Sequence, residues 1–288
     1  MNEAQFYEKS DGNSVFCALC PHNCKIKENG AGICGIRKNF VGILYAAGYG
    51  RISSFALDPI EKKPLYMFHP GKKVLSLGGF GCNLRCPFCQ NFEISVEYGK
   101  RQKYAEKTSP EKIASLAKKY APYGNIGAAY TYNEPLVGYE FVHDCAKAVH
   151  EAGLCNVLVT NGYINRGPLE KLLPHIDAAN IDLKSFTDGF YHSLGGSLGA
   201  VKETIETVRK SCHVEITTLV IPGENDSESE IEALSMWLAS LDDKIPLHLT
   251  RFFPRYKYTG KAPPSKNELY RLCEIAKKHL RHVFAGNV

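Results

Sequence analysis

From residue 73 to the end of the chain, short apolar runs rich in β-branched residues alternate with longer amphipathic ones, a pattern that few folds satisfy. The β-type runs are Lys73 to Leu77, Ile126 to Tyr132, Asn156 to Thr160, Ala178 to Leu183, His213 to Ile221 and Leu247 to Phe252, and the closing HVFAGNV reads as one more. Between them, SPEKIASLAKKYA, LVGYEFVHDCAKAVHEAG, AVKETIETVRK, SESEIEALSMWLASL and SKNELYRLCEIAKKHL carry apolar residues at helical spacing. Ser109 then Pro110 reads as an N-cap and first-turn proline, and Gly153 as a helix stop. Six βα units in series require parallel strands joined by right-handed crossovers. The expectation is an α/β fold: a partial or near-complete parallel (β/α)6 barrel of the TIM type over residues 71–288. A small cysteine-rich knuckle and connector over residues 1–70 precede it. A length of 288 residues suits one barrel with an appendage.

The polar motifs fall where such a barrel would use them. GCNLRCPFCQN follows the first strand, Asn133-Glu134-Pro135 the second and Thr160-Asn161-Gly162 the third; Asp182 and Lys184 close the fourth, IPGENDS follows the fifth and RFFPRY ends the sixth. That rim is where parallel barrels build active sites. His248 and Arg251 alternate with apolar neighbours, so they are expected to face the barrel interior or its mouth and to contact substrate, with structural roles as the alternative. Lys62 and Lys63 read as a solvated charge pair by default, with a reach into the active site as the alternative.

Composition removes several classes. A hydrophobic fraction of 44% and a charged fraction of 23% suit a soluble globular protein rather than a disordered one. The formal charge of +5 is mild and scattered, which does not argue for nucleic acid. With no apolar leader and no run of 18 apolar residues, a cytoplasmic protein without a membrane partner is expected. Eleven cysteines in a long chain without an export signal point to ligands rather than disulfides. Seven of them form two tight groups: Cys82, Cys86 and Cys89, and upstream Cys17, Cys20, Cys24 and Cys34. Cys145, Cys155, Cys212 and Cys273 stand singly and read as core or surface thiols.

The spacing Cys-x3-Cys-x2-Cys directly after a first barrel strand resembles the signature of the radical S-adenosylmethionine (SAM) superfamily. Together with CALCPHNC, GICGIRKN, DPIEKKPLYMF, TYNEP, NIDLKSF, TTLVIPGENDS and RFFPRYKYTGKAPP, it makes the chain similar to the AmmeMemoRadiSam-system radical SAM enzymes, themselves likened to pyruvate formate-lyase activating enzymes. The resemblance implies a [4Fe-4S] cluster on Cys82, Cys86 and Cys89, with SAM on the iron that no cysteine holds. It implies reductive cleavage of SAM to methionine and a 5′-deoxyadenosyl radical that abstracts hydrogen from a protein, peptide or bulky metabolite. Flavodoxin or ferredoxin would supply the electron. By physical need, Glu134 with Asn133 would take the SAM ammonium, Lys184 beside Asp182 the carboxylate, Thr160 and Asn161 the ribose, and Phe88 and Val220 the adenine. The four upstream cysteines read as a second site for zinc or an auxiliary cluster. Two departures from the family pattern are expected to matter: the chain stops at Val288, and Leu194 stands where a cysteine often precedes the paired glycines. A non-catalytic metal scaffold or electron carrier, and a radical RNA-modifying enzyme, are the competing readings.

Overall fold

The computed structural model describes residues 2–99, 102 and 105–288. Its centre is an eight-stranded sheet whose neighbours follow chain order: β1 (Ser54–Pro59), β2 (Lys73–Gly78), β3 (Asn125–Thr131), β4 (Cys155–Thr160), β5 (Ala178–Asp182), β6 (His213–Val220), β7 (Leu247–Arg251) and β8 (Val283–Gly286). Strands β2 to β8 are parallel. Strand β1 pairs antiparallel with β2, Ser54 opposite Gly78 and Pro59 opposite Lys73, so the sheet reaches back before residue 71. The order is linear, and β1 and β8 do not pair. The fold is thus a partial barrel with six helices following β2 to β7: α1 (Pro110–Tyr120), α2 (Tyr139–Glu151), α3 (Arg166–Leu172), α4 (Leu198–Val208), α5 (Glu228–Leu241) and α6 (Lys266–Ala276).

Local chemistry sets the helix ends. The Ser109 side chain accepts from the Lys112 N–H ahead of Pro110, Ser197 and Ser227 cap α4 and α5 alike, and Ser265 with Glu268 forms a capping box on α6. Strand alternation then sorts the side chains. Leu75, Leu77, Leu158, Ile181, Ile216, Leu247 and Leu249 lie in the main apolar core with the helices. Residues of the other parity, among them Val159, Asp182, Thr217, Leu219 and Thr250, line an interior cavity. Among the described residues no helix is long and apolar enough to cross a membrane.

The connector from β1 to β2 plugs the barrel from below. Ile60 and Leu65 are fully buried and pack in one cluster with Val74, Ala129, Val157 and Ala178. Asn180 Nδ2 donates to the Pro64 carbonyl at 2.8 Å, and buried Glu215 accepts from the N–H groups of Tyr66 and Met67 at 3.0 and 2.8 Å. Glu215 also bonds His213 Nε2 at 2.9 Å and His248 Nε2 at 2.6 Å. Burial pushes this carboxyl up, but the two histidines and two N–H groups outweigh burial and hold it down to about 2.

This arrangement corrects the expectation for His248. Its ring does face the barrel interior, but at floor level, stacked on Phe284 at 5.2 Å and edge-on to Tyr66 at 4.7 Å, away from the cavity. Arg251 is three residues on and therefore has the opposite parity. Its Nε donates to the Pro264 carbonyl at 2.6 Å and its guanidinium lies over Phe253, so it too stays clear of the cavity.

Candidate active site

The loop after β2 is clamped from three sides. Asn133 accepts from the Gly79 N–H at 2.8 Å through Oδ1 and donates through Nδ2 to the Gly81 carbonyl at 3.0 Å. Gly81 has φ +83°, and a Cβ there would stand 2.6 Å from the Cys34 carbonyl oxygen, so only glycine lets the loop lie against the N-terminal segment. Arg85 donates to the carbonyls of Cys82 at 2.7 Å and Leu84 at 2.9 Å, and also to that of Ile33. Lys257 N–H donates to the Pro87 carbonyl at 2.9 Å, closing the loop from the β7 side.

So held, Cys82, Cys86 and Cys89 all line a cavity of about 340 Å3 at the C-terminal ends of the strands. None forms a disulfide. Burial raises all three thiols, while the Lys184 ammonium pulls Cys86 and Cys89 back down. Facing them are Asn133, Glu134, Thr160, Asn161, Asp182 and Lys184, and Phe88 lines the same wall, stacked on Phe190 at 6.0 Å. Among the described residues no three His, Cys, Asp or Glu side chains converge tightly enough for one metal ion. A four-iron cube instead takes each thiolate on a separate iron. Three unpaired thiols on one wall, with no fourth protein thiol there, fit such a cube with one iron left to another ligand.

Glu134 is the most constrained of the facing groups. Its Oε1 accepts from Thr160 Oγ1 at 2.7 Å and the Leu136 N–H at 3.0 Å, and its Oε2 from the Asn161 N–H at 2.7 Å. Burial raises its pKa to about 7, against these three donors. Lys184 Nζ lies 2.9 Å from Asp182 Oδ2; burial lowers its pKa, but Asp182 and Cys86 more than reverse that, and the ammonium stays charged. Asn161 Nδ2 reaches Cys82 Sγ at 3.6 Å and Asn83 Oδ1 at 2.9 Å.

The structure does not bring Val220 to the cavity. It is fully buried on the helix side of β6, and its neighbour Leu219 has the inward parity and lines the wall. Thr217 and Thr250 join it by the same alternation, a signal that period-two counting from Asp182 and its neighbours could have supplied. Lys62 and Lys63 also line the cavity. Their approach depends on the plug, which no local motif announces.

The upstream cysteines lie against this site. Cys24 and Cys34 sulfurs flank Gly32, at 3.7 and 3.8 Å from where its Cβ would be. Burial pushes the Cys20 thiol up to about 12, opposed by the His22 N–H and the Asn83 side chain. Asn83 therefore touches both cysteine groups: its Nδ2 donates to the Tyr163 carbonyl at 2.6 Å, and its own carbonyl pairs with His22 Nε2 at 2.7 Å. Sequence reasoning passed over Asn83, which sits unremarked between two ligand candidates.

The site is thus an open parallel barrel with a three-thiol wall, a buried carboxylate and a charged lysine around one cavity. Residues 77–235 match the model of the Radical SAM superfamily. The chain belongs to that superfamily and is a radical SAM enzyme. It is 42% identical to the uncharacterized protein MJ0808 of Methanocaldococcus jannaschii, over all of this chain and 86% of that one. It is 24% identical to the pyruvate formate-lyase 1-activating enzyme of Escherichia coli K12, over 69% of this chain and 86% of the relative. In fold it resembles Streptococcus suis SuiB, with a TM-score of 0.56 and 14% identity over 74% of this chain and 48% of SuiB; SuiB has also been solved bound to the precursor peptide SuiA.

Proposed function

We propose that Cys82, Cys86 and Cys89 hold a [4Fe-4S] cluster and that the facing wall binds SAM for reductive cleavage, with a protein, peptide or bulky metabolite as the hydrogen donor. When bound, the cluster and SAM supply an electron and a 5′-deoxyadenosyl group able to take a hydrogen atom. The protein's part is to bind, orient and exclude water. Glu134, already ordered by three donors, offers a carboxylate to the SAM ammonium. Lys184 offers a cation to the SAM carboxylate while Asp182 keeps it in place. Thr160 and Asn161 offer hydroxyl and amide groups to the ribose, and Phe88 with Leu219 offers apolar surface to the adenine. The likeness to an activating enzyme and to a peptide-binding fold relative favours a macromolecular substrate. Flavodoxin or ferredoxin is the class of donor that fits the electron's source.

Cys17, Cys20, Cys24 and Cys34 form, in this reading, a second metal site whose loading is linked to the first through Asn83. The observation that carries the proposal is the placement of three thiols, Glu134 and Lys184 around one cavity. Anaerobic reconstitution with iron, sulfide and dithionite should give a protein that releases 5′-deoxyadenosine from SAM, and Cys86→Ala should lose both that release and the iron of this cluster. A reduced, iron-loaded wild type that releases none refutes the reading.

A further inference from the structure

The cavity has a floor that is charged where a plug alone would be apolar. The connector is fixed on both sides of Lys62 and Lys63: Ile60 and Leu65 are fully buried, and the Pro64 carbonyl and Tyr66 N–H are held by Asn180 and Glu215. The two lysines are thereby presented to the cavity. Lys63 is buried, its Nζ 2.8 Å from Asp58 Oδ2 and 4.5 Å from the centroid of the Tyr132 ring. The Tyr132 hydroxyl donates to the same oxygen at 2.6 Å, from a residue whose φ of +71° is a strained conformation for a tyrosine. Asp58 is thus committed to Lys63 and Tyr132. Lys62 Nζ stands 3.9 Å from the other Asp58 oxygen, at the limit of an ion pair, and its side chain is 69% exposed.

One carboxylate therefore answers two ammonium groups. Neither of the cavity's other carboxylates is turned to these lysines: Asp182 is paired with Lys184, and Glu134 accepts from three neutral donors. A buried lysine needs a partner, and Lys63 has one in Asp58, which leaves Lys62 without a close one of its own. A chain that needed only to fill the floor would place apolar residues there, as it does at Ile60 and Leu65.

We propose that this floor is a substrate subsite for an anionic group, a carboxylate or a phosphate, which Lys62 meets directly and Lys63, held by Asp58, supports from beneath. It rests on the reading that the cavity receives the reacting molecule, and names the chemistry of one end of it. The test is calorimetric titration of the reconstituted full chain, saturated with SAM, against succinate, inorganic phosphate and neutral succinamide. At least one of the two anions should bind saturably and succinamide should not. The tighter anion identifies the group. Lys62→Gln, at an exposed position that folding does not depend on, should weaken that binding at least about tenfold, as expected for a lost hydrogen bond to a charged group, and Lys62→Arg should restore it. Absence of saturable anion binding, equal binding of succinamide, or an unchanged affinity in Lys62→Gln overturns the subsite. Release of 5′-deoxyadenosine by the same wild-type preparation is read separately, so failure of SAM cleavage and failure of the subsite give different results.

Discussion

Replacing Glu215 by glutamine tests whether one buried carboxylate holds the barrel floor. Its Oε1 accepts from the Met67 N–H and His213 and its Oε2 from the Tyr66 N–H and His248. Glutamine keeps the shape but supplies one oxygen and, in place of the other, an NH2 that cannot accept. A histidine can switch tautomer to meet that NH2; a backbone N–H cannot. Whichever way the amide turns, one of the two plug N–H groups is left buried without an acceptor, at about 1–3 kcal/mol. Loss of the charge-assisted bonds brings the total to the order of 3 kcal/mol. If the plug opens locally, that is about a hundredfold faster hydrogen exchange at the amides of Tyr66 and Met67, read by mass spectrometry on the peptide containing them. The pH dependence has a definite sign. A carboxyl held down to about 2 contributes stability that is full above the ordinary glutamate value of about 4.3 and is lost as pH falls through 2. Wild-type protection should therefore fade over that window, and Glu215→Gln should lack this component. Exchange within about threefold of wild type at neutral pH would refute the argument.

Two further outcomes follow from the site. Glu134, raised to about 7 by burial, is half protonated near neutral pH, and only its anion can pair with the SAM ammonium. SAM affinity measured by equilibrium dialysis should rise with pH through about 7 in the wild type, and in Glu134→Gln should be weaker, with that pH dependence gone. The register of β6 separates neighbours: Leu219→Ala should weaken SAM binding severalfold, whereas Val220→Ala should leave affinity alone and cost about 1–3 kcal/mol in urea unfolding. The opposite assignment of these two effects would return the adenine wall to Val220.

What the sequence made legible follows periodicity closely. The alternation of strands and helices places the parallel sheet to within a residue or two, because apolar spacing and serine caps act locally. That Cys82, Glu134, Asn161 and Lys184 line one cavity is legible because each lies at or just past a strand end on the same rim. Parity within a strand is the weak point: three residues separate His248 from Arg251, so the two cannot share a face, and on β6 it is Leu219 rather than Val220 that has the inward parity. The plug was less legible still. That DPIEKKPLYMF enters the barrel, bringing Lys62 and Lys63 to the cavity, depends on contacts with Asn180 and Glu215 more than a hundred residues away.

In a closed barrel the number of strands and their stagger set the circumference, and no side chain can alter it. Here β1 and β8 leave a seam, and what spans it is the connector: Lys63 tied to Asp58 on β1, and Tyr66 packed at 4.9 Å on Phe284 of β8. The seam of this barrel is therefore spanned by packing and an ion pair rather than by a hydrogen-bond ladder. Contacts across the seam can thus be altered, at Lys63 or Tyr66, without breaking a strand pair.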